Sequence, residues 1–232
     1  MTTASTTTPP AVIDTPVDNL LAGGVSPDTL KNFAAAGLQA IPLTIDAVLH
    51  LMRAGYISEG APIELLGGVL VWKERNAIGE DPMTIGNIHT LLMKRLMTLV
   101  PRIDSRIAHM YCQGPIRISE IDCPEPDGVI VAGTPEDYRD RYPSSGEIFC
   151  AIEVSHSSLR RDRTIKLAMY AGAGIPQYII INIPDAQIEV HEQPDTAGHT
   201  YASRTVLKRG DTVQLFCGGT VYLNADATTL LP

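Results

Sequence analysis

Only four cysteines occur in the 232 residues, Cys112, Cys123, Cys150 and Cys217, and no two form a C-x-x-C pair. They read as reduced core or surface thiols rather than as a disulfide framework. Long apolar runs are missing too. None approaches the roughly 18 residues of a membrane span, and the N-terminus lacks the basic and apolar blocks of a signal peptide. We therefore expect a cytoplasmic protein with no membrane partner. Neither GxGxxG nor GxxxxGK[ST] is present, so nucleotide binding has no support from a phosphate-cradling glycine loop, and no segment repeats. Basic charge is also short: 18 Lys and Arg stand against 26 Asp and Glu, a net charge of −8. That argues against a strongly basic polyanion binder, although a local basic groove remains compatible with it.

With 44% hydrophobic and 19% charged residues, the chain can bury a full core. Residues 1–16 are rich in Thr, Ala and Pro. In 17–40 a helix-start signal at Ser26, Pro27 and Asp28 is followed and flanked by Gly23, Gly24 and Gly37. We expect residues 1–40 to be a disordered or poorly packed extension and 41–232 to be one domain. Thr44 should cap a helix carrying Ile45, Val48, Leu49 and Met52 that ends near Gly55. Two apolar runs, 63–66 and 69–72, flank Gly67-Gly68, a hairpin signal with Glu64 on the first arm. After a polar loop over 79–82, a helix over about 85–100 carries Ile88, Leu91, Leu92, Leu96 and Leu99 as its apolar stripe, with His89 near its first turn. A strand over 107–118, broken by Gly114 and Pro115, is followed by Cys123-Pro124-Glu125-Pro126, which forces an extended entry into a strand opened by Asp127. The segment 133–146 should be a loop with one helical turn at the border of a cleft, and 188–207 and 212–223 should close the fold as hairpins.

The chain is organised around residues 147–183. Strand alternation puts Ile148, Cys150, Ile152 and Val154 on one face and Phe149, Ala151 and Glu153 on the other. Glu153 thus interrupts a buried run, and an ionised carboxylate there needs a cation, a metal or several donors. Arg160, Arg161, Asp162, Arg163 and Lys166 follow on a helix whose apolar face we assign to Ile165, Ala168, Met169 and Gly172. The continuous apolar run 177–183 predicts a strand buried on both faces, parallel to the first through a crossover.

An acid opening one strand, a Glu in the next and a Lys on the following helix are what a metal-dependent phosphodiesterase needs. Here these are Asp127, Glu153 and Lys166. Plainer roles stand beside that one. Glu153 suits an ion pair with Arg160 or Arg163. Lys166 suits a snorkelling side chain, and Asp127 a turn cap. His156, Asp162 and the arginine run suit a solvated helix start or a phosphate contact, while Glu64 and His89 fit surface or satisfied positions as readily as a site.

The segments IELLGGVLV, EPDGVIV and AIEVSHSSLRRDRTIKLAMYAGAGIPQYIIINI, in this order and with His89 in its helix, resemble the Uma-type restriction endonucleases of the PD-(D/E)XK nuclease superfamily. The resemblance implies an α/β (α+β) fold with an αβββαβ core, a mixed central sheet flanked by helices, and extra C-terminal strands. It implies Mg²⁺, with Mn²⁺ as a substitute, held by Asp127, Glu153 and the Val154 carbonyl. Glu64 matches the upstream acid and Lys166 the position of the lysine. The lysine that the superfamily places two residues after the Glu is absent, since that position is Ser155. The implied activity is an endonuclease that hydrolyses DNA phosphodiesters by metal-activated water. The alternative is a catalytically silent nuclease-fold protein that binds nucleic acid or a protein partner. An acidic chain should hold DNA weakly and salt-sensitively, and a homodimer would double its basic surface.

Overall fold

Thr44 caps α1 (Ile45–Arg53), its side chain accepting a hydrogen bond from the Ala47 N–H at 3.2 Å. This satisfies a donor that the first helical turn leaves without a partner. The computed structural model describes residues 36–37, 41–58, 60–73 and 82–232. The expected extension over 1–40 lies almost wholly outside the described residues, as does the polar loop up to residue 81. β1 (Ile63–Leu66) and β2 (Val69–Trp72) pair antiparallel. Gly67 and Gly68 both have positive φ, 59° and 74°, as a two-residue primed turn demands. A Cβ on Gly68 would fall 2.2 Å from the Pro42 Cβ. The Gly68 N–H donates to the Ile121 carbonyl at 2.8 Å, which stitches the turn to the segment leading to Asp127.

The main sheet has six strands in the order β3-β4-β5-β6-β7-β8: β3 (Ala108–Cys112), β4 (Gly128–Ala132), β5 (Ile148–Ser155), β6 (Gln177–Asn182), β7 (Gln187–Asp195) and β8 (Thr200–Leu207). Only β5 and β6 run parallel. They are joined by α3, a continuous helical run made of Leu159–Arg161, a π segment Asp162–Lys166, and Leu167–Gly172. From α2 (Pro82–Met97), Leu92, Met93 and Leu96 pack with Ile130, Cys150, Ile152 and Ile179 on one face. From α3, Tyr170 and Ala171 pack with Val129, Ala151 and Ile180 on the other. The αβββαβ order is therefore realised as α2-β3-β4-β5-α3-β6, a mixed sheet between helices. β9 (Thr212–Phe216) and β10 (Tyr222–Asp226) form the last hairpin, followed by α4 (Ala227–Leu230). No helix among the described residues is long and apolar enough to cross a membrane.

Several local expectations need correction. The β4–β5 register slips by one residue, since Ile130 pairs with Cys150 but Val131 with Ile148. Phe149 is the extra residue of this bulge. Ile148 consequently joins Ala151 on the α3 side, and Phe149 packs with the opposite cluster. Strict alternation fails at that one step. On α2, Leu91 is 43% exposed and Met93 is buried in its place. The apolar stripe assigned to α3 is wrong in phase: Ile165 is 53% exposed, whereas Asp162, Lys166, Tyr170 and Ala171 are buried. Asp162, Lys166 and Tyr170 recur every four residues, and the π segment widens the turn to hold that line against the sheet. Polar residues therefore make the inner face, so a hydrophobic pattern cannot find it. Asp127 lies immediately before β4 rather than within it.

On β7, buried Glu189 gathers Arg163, Arg204, Asn182 and Gln187. Burial by itself would raise its carboxyl, but the hydrogen bonds from Arg163, Asn182, Arg204 and Gln187 outweigh that and hold it down at about 2. An unfolded Glu titrates near ~4.3. The folded value is the lower one, so the stabilisation is complete above about 4.3 and is lost as pH falls through about 2. Glu189→Gln should therefore lower the thermal midpoint at pH 7, and the deficit should shrink between pH ~4 and ~2. Melting followed by circular dichroism across that range checks this. A deficit that does not change with pH would show that Glu189 acts through packing alone.

Candidate active site

Glu153 sits two residues before the end of the central strand β5, and the pleat turns its side chain to the face covered by α3. Its Oε1 accepts hydrogen bonds from the Lys166 ammonium at 2.8 Å and from the Tyr170 hydroxyl at 3.0 Å. Both donors come from the inner line of α3. The same ammonium lies 2.9 Å from Glu64 Oε1, delivered by β1. Glu64 Oε1 in turn accepts the Glu125 N–H at 2.8 Å. One lysine, 1% exposed, thus joins the hairpin, the central strand and the crossover helix.

Desolvation of two such ions costs several kcal/mol each. Fully buried neighbours such as Ile152, Ile179 and Ile180 each contribute about 1.5–3 kcal/mol in the other direction. The sheet centre can therefore carry the pair. Burial pushes the Lys166 ammonium toward deprotonation, but Glu153, Glu64 and Asp162 together outweigh it and keep it above its ordinary value. For Glu153, burial pushes the carboxyl well above the usual range. Lys166 opposes that, while Asp162, Asp127 and Glu64 add to it. Lys166 is therefore a positive charge shared among an excess of acids, and burial favours the protonated form of Glu153. Burial, with Glu153 next, also pushes the Tyr170 hydroxyl up, so it stays a donor.

Asp127 stands at the adjoining strand end. Its Oδ2 accepts the Val154 N–H at 2.8 Å, and its Oδ1 lies 3.1 Å from His89 Nε2. A strand residue directs its N–H and C=O to the same neighbour, so the Val154 carbonyl leaves β5 on the side of Asp127. Glu64, Asp127, Glu153, Val154, Lys166, His89 and His156 all line one cleft of about 460 Å³. Among the described residues, the loop over 133–146 contributes nothing to this lining, contrary to expectation. The helical turn expected in this loop is present as Pro135–Tyr138, a second short 3-10 turn follows at Ser145–Glu147, and each is closed by its own capping box.

The plainer readings are resolved residue by residue. Glu153 is ion-paired, with Lys166 rather than with Arg160 or Arg163. Lys166 does not snorkel. Arg163 turns away to Glu189, Arg160 is exposed, and Arg161 alone of the three lines the cleft. Ser155, in place of the superfamily lysine, donates to Asp162 Oδ2 at 2.7 Å, and Ser158 donates to the same oxygen at 2.6 Å. Both serines anchor the start of α3. Sequence reasoning missed Tyr170, although its four-residue spacing from Lys166 was a usable signal. It also missed Lys73, which ion-pairs with Glu125 at the cleft. Gln113, a further lining residue, ends β3 at φ 54°, a conformation uncommon outside glycine, and no local pattern announces it.

Residues 78–220 match the Uma2 family, described as "Putative restriction endonuclease". The match spans more than half of the chain, and the protein belongs to that family. The matched span contains His89, Asp127, Glu153 and Lys166, but Glu64 precedes it. The fold is similar to the crystal structure of a "putative nuclease belonging to DUF820" from Anabaena variabilis, with a TM-score of 0.54 and 14% identity. That similarity covers 82% of this chain and 97% of the other. No curated protein matches the chain.

Proposed function

We propose that the chain is a Mg²⁺-dependent endonuclease that hydrolyses DNA phosphodiester bonds. The observation that carries this reading is the convergence of Asp127, Glu153 and Lys166 on one cleft at the end of β5. Among the described residues, no three His, Cys, Asp or Glu side chains are gathered to hold a metal between them. That is incompatible with an all-protein cage. It is compatible with Mg²⁺, which takes oxygen ligands, keeps several waters and commonly uses one or two carboxylates. Each Asp127 oxygen has one partner and retains a lone pair. Glu153 Oε2 accepts no hydrogen bond among the described residues, and the residue lines the cleft. With the Val154 carbonyl, these donors fit the ion, and Mn²⁺ has the same oxygen preference.

A divalent ion so held would acidify water and neutralise phosphate charge. The residues of the chain do the rest. Glu153, Glu64 and Asp162 favour the charged form of Lys166. It fixes the Glu153 carboxylate in one orientation and supplies positive charge beside the reacting phosphate. Tyr170 holds the same oxygen from the other side, and His89 steadies Asp127. Glu64 is the second anchor of Lys166.

DNA is the partner this reading requires. With a net charge of −8, contact rests on few cations, so binding should be weak and lost with modest salt, and a homodimer would double the cationic surface. The silent-fold reading draws on one observation, that the Lys166 ammonium is already engaged by two glutamates. Supercoiled plasmid incubated with Mg²⁺ or Mn²⁺ separates the two readings. Nicking or linearisation that stops with chelator supports the nuclease, whereas a folded protein that neither cleaves nor binds metal leaves the silent fold.

A further inference from the structure

Beside the cleft, three buried polar atoms have no hydrogen-bond partner among the described residues: Glu64 Oε2 and Arg161 Nε, whose residues line it, and Asp162 Oδ1 behind them. They belong to one cluster. Arg161 Nη2 lies 4.0 Å from Glu64 Oε2, and Arg161 Nε lies 3.8 Å from Asp162 Oδ1. Both separations are ion-pair distances too long for hydrogen bonds. A guanidinium offers five N–H donors, yet among the described residues that of Arg161 makes one hydrogen bond, from Nη1 to the Trp72 carbonyl at 3.3 Å. Its side chain is 22% exposed and lines the cleft beside Glu153 and Lys166. A planar donor fork with most of its capacity unspent, held near acids without being locked to them, is suited to grip an anion with two oxygens.

We infer that Arg161 binds a non-bridging oxygen pair of the substrate phosphodiester, and that its loose contacts to Glu64 and Asp162 are the resting position from which it does so. This rests on the nuclease reading above and assigns the substrate contact within it. Among the described residues, no Phe, Tyr or Trp lines the cleft, so the large ring platforms on which unstacked bases sit are missing from that lining. Recognition falls to the backbone of a duplex, with Arg161 as its anchor.

The test is fluorescence anisotropy of the full chain with a labelled 20-base-pair duplex, titrated over a range of salt with Ca²⁺ replacing Mg²⁺ to hold back cleavage. Loss of one phosphate contact makes the slope of log affinity against log salt shallower by about 0.9. Arg161→Gln should show that change together with roughly tenfold or greater weakening, uniformly across duplex sequences. Arg161→Lys keeps the charge near Glu64 and Asp162 but loses the fork, so it should keep the slope and the thermal midpoint while binding several-fold more weakly. If Arg161→Gln does not fold, Arg161→Lys decides: weaker binding at an unchanged midpoint supports the contact, and wild-type affinity overturns it. Wild-type affinity and slope in a folded Arg161→Gln would overturn the inference and leave the nuclease reading standing. A wild-type chain that binds no duplex would overturn that reading, and this one with it.

Discussion

Lys166→Met should lower stability by about 3–5 kcal/mol, the range measured when one member of a buried ion pair is removed. For a chain of this size that is a fall in thermal midpoint on the order of 10 °C. The cause is not lost packing, because Met nearly fills the same volume. It is that Glu64 and Glu153, both buried, lose the ammonium that lies 2.9 and 2.8 Å from them. Two further results follow from the same geometry. Glu153 is already pushed toward its protonated form by burial, and in the variant the ammonium no longer opposes that. Acidification, by neutralising it, should shrink the deficit. A divalent cation should replace the missing charge, so Mg²⁺ should raise the midpoint of the variant more than that of the wild type. Calorimetric melts with chelator or with Mg²⁺, at neutral and mildly acid pH, measure all three effects. A deficit below about 1 kcal/mol, or one indifferent to both pH and metal, would remove Lys166 as the electrostatic centre of the site.

The architecture was legible wherever one physical signal acted alone. The Gly67-Gly68 turn, the Thr44 cap and the two-sided burial of β6 follow from local chemistry, and the structure reproduces each. The parallel pairing of β5 with β6 follows from the length of the segment between them. Legibility failed where tertiary charge contacts overrode a hydrophobic period. On α3 the apolar residues Ile165 and Met169 point elsewhere because Asp162, Lys166 and Tyr170 are held inward by Ser155, Glu153 and Glu64. No window of sequence contains those partners together. The bulge at Phe149 was illegible for a similar reason, since a register slip belongs to a pair of strands. For the candidate site, residue types and their places on two strands and a helix singled out Asp127, Glu153 and Lys166, and the family resemblance added Glu64; all four line a single cleft. The partition of the arginines, Arg161 to the cleft and Arg163 to Glu189, depends on a helical phase altered by the π segment.

Glu153→Gln and Glu64→Gln should part company, although both glutamates touch the same ammonium. Glu64 Oε1 is taken by Lys166 and by the Glu125 N–H, and Oε2 is buried away from water. Both residues line the cleft, but Glu153 Oε2, which accepts no hydrogen bond among the described residues, is not shut away from water as Glu64 Oε2 is. If Glu153 is a ligand and Glu64 an anchor, Glu153→Gln should weaken Mg²⁺ binding in calorimetry and reduce plasmid cleavage by about a hundredfold or more, since a neutral amide is a poor ligand for a hard cation. The same substitution keeps an acceptor for Lys166 and Tyr170 and relieves a buried charge, so its thermal midpoint in chelator should hold. Glu64→Gln should leave Mg²⁺ affinity within a few-fold and show its defect in stability and in cleavage, through a lysine left with one anchor instead of two. Separate phenotypes would assign the two acids to separate tasks. Equal loss of metal affinity in both variants would make Glu64 a ligand as well, and unaltered affinity in Glu153→Gln would move the metal away from the end of β5 altogether.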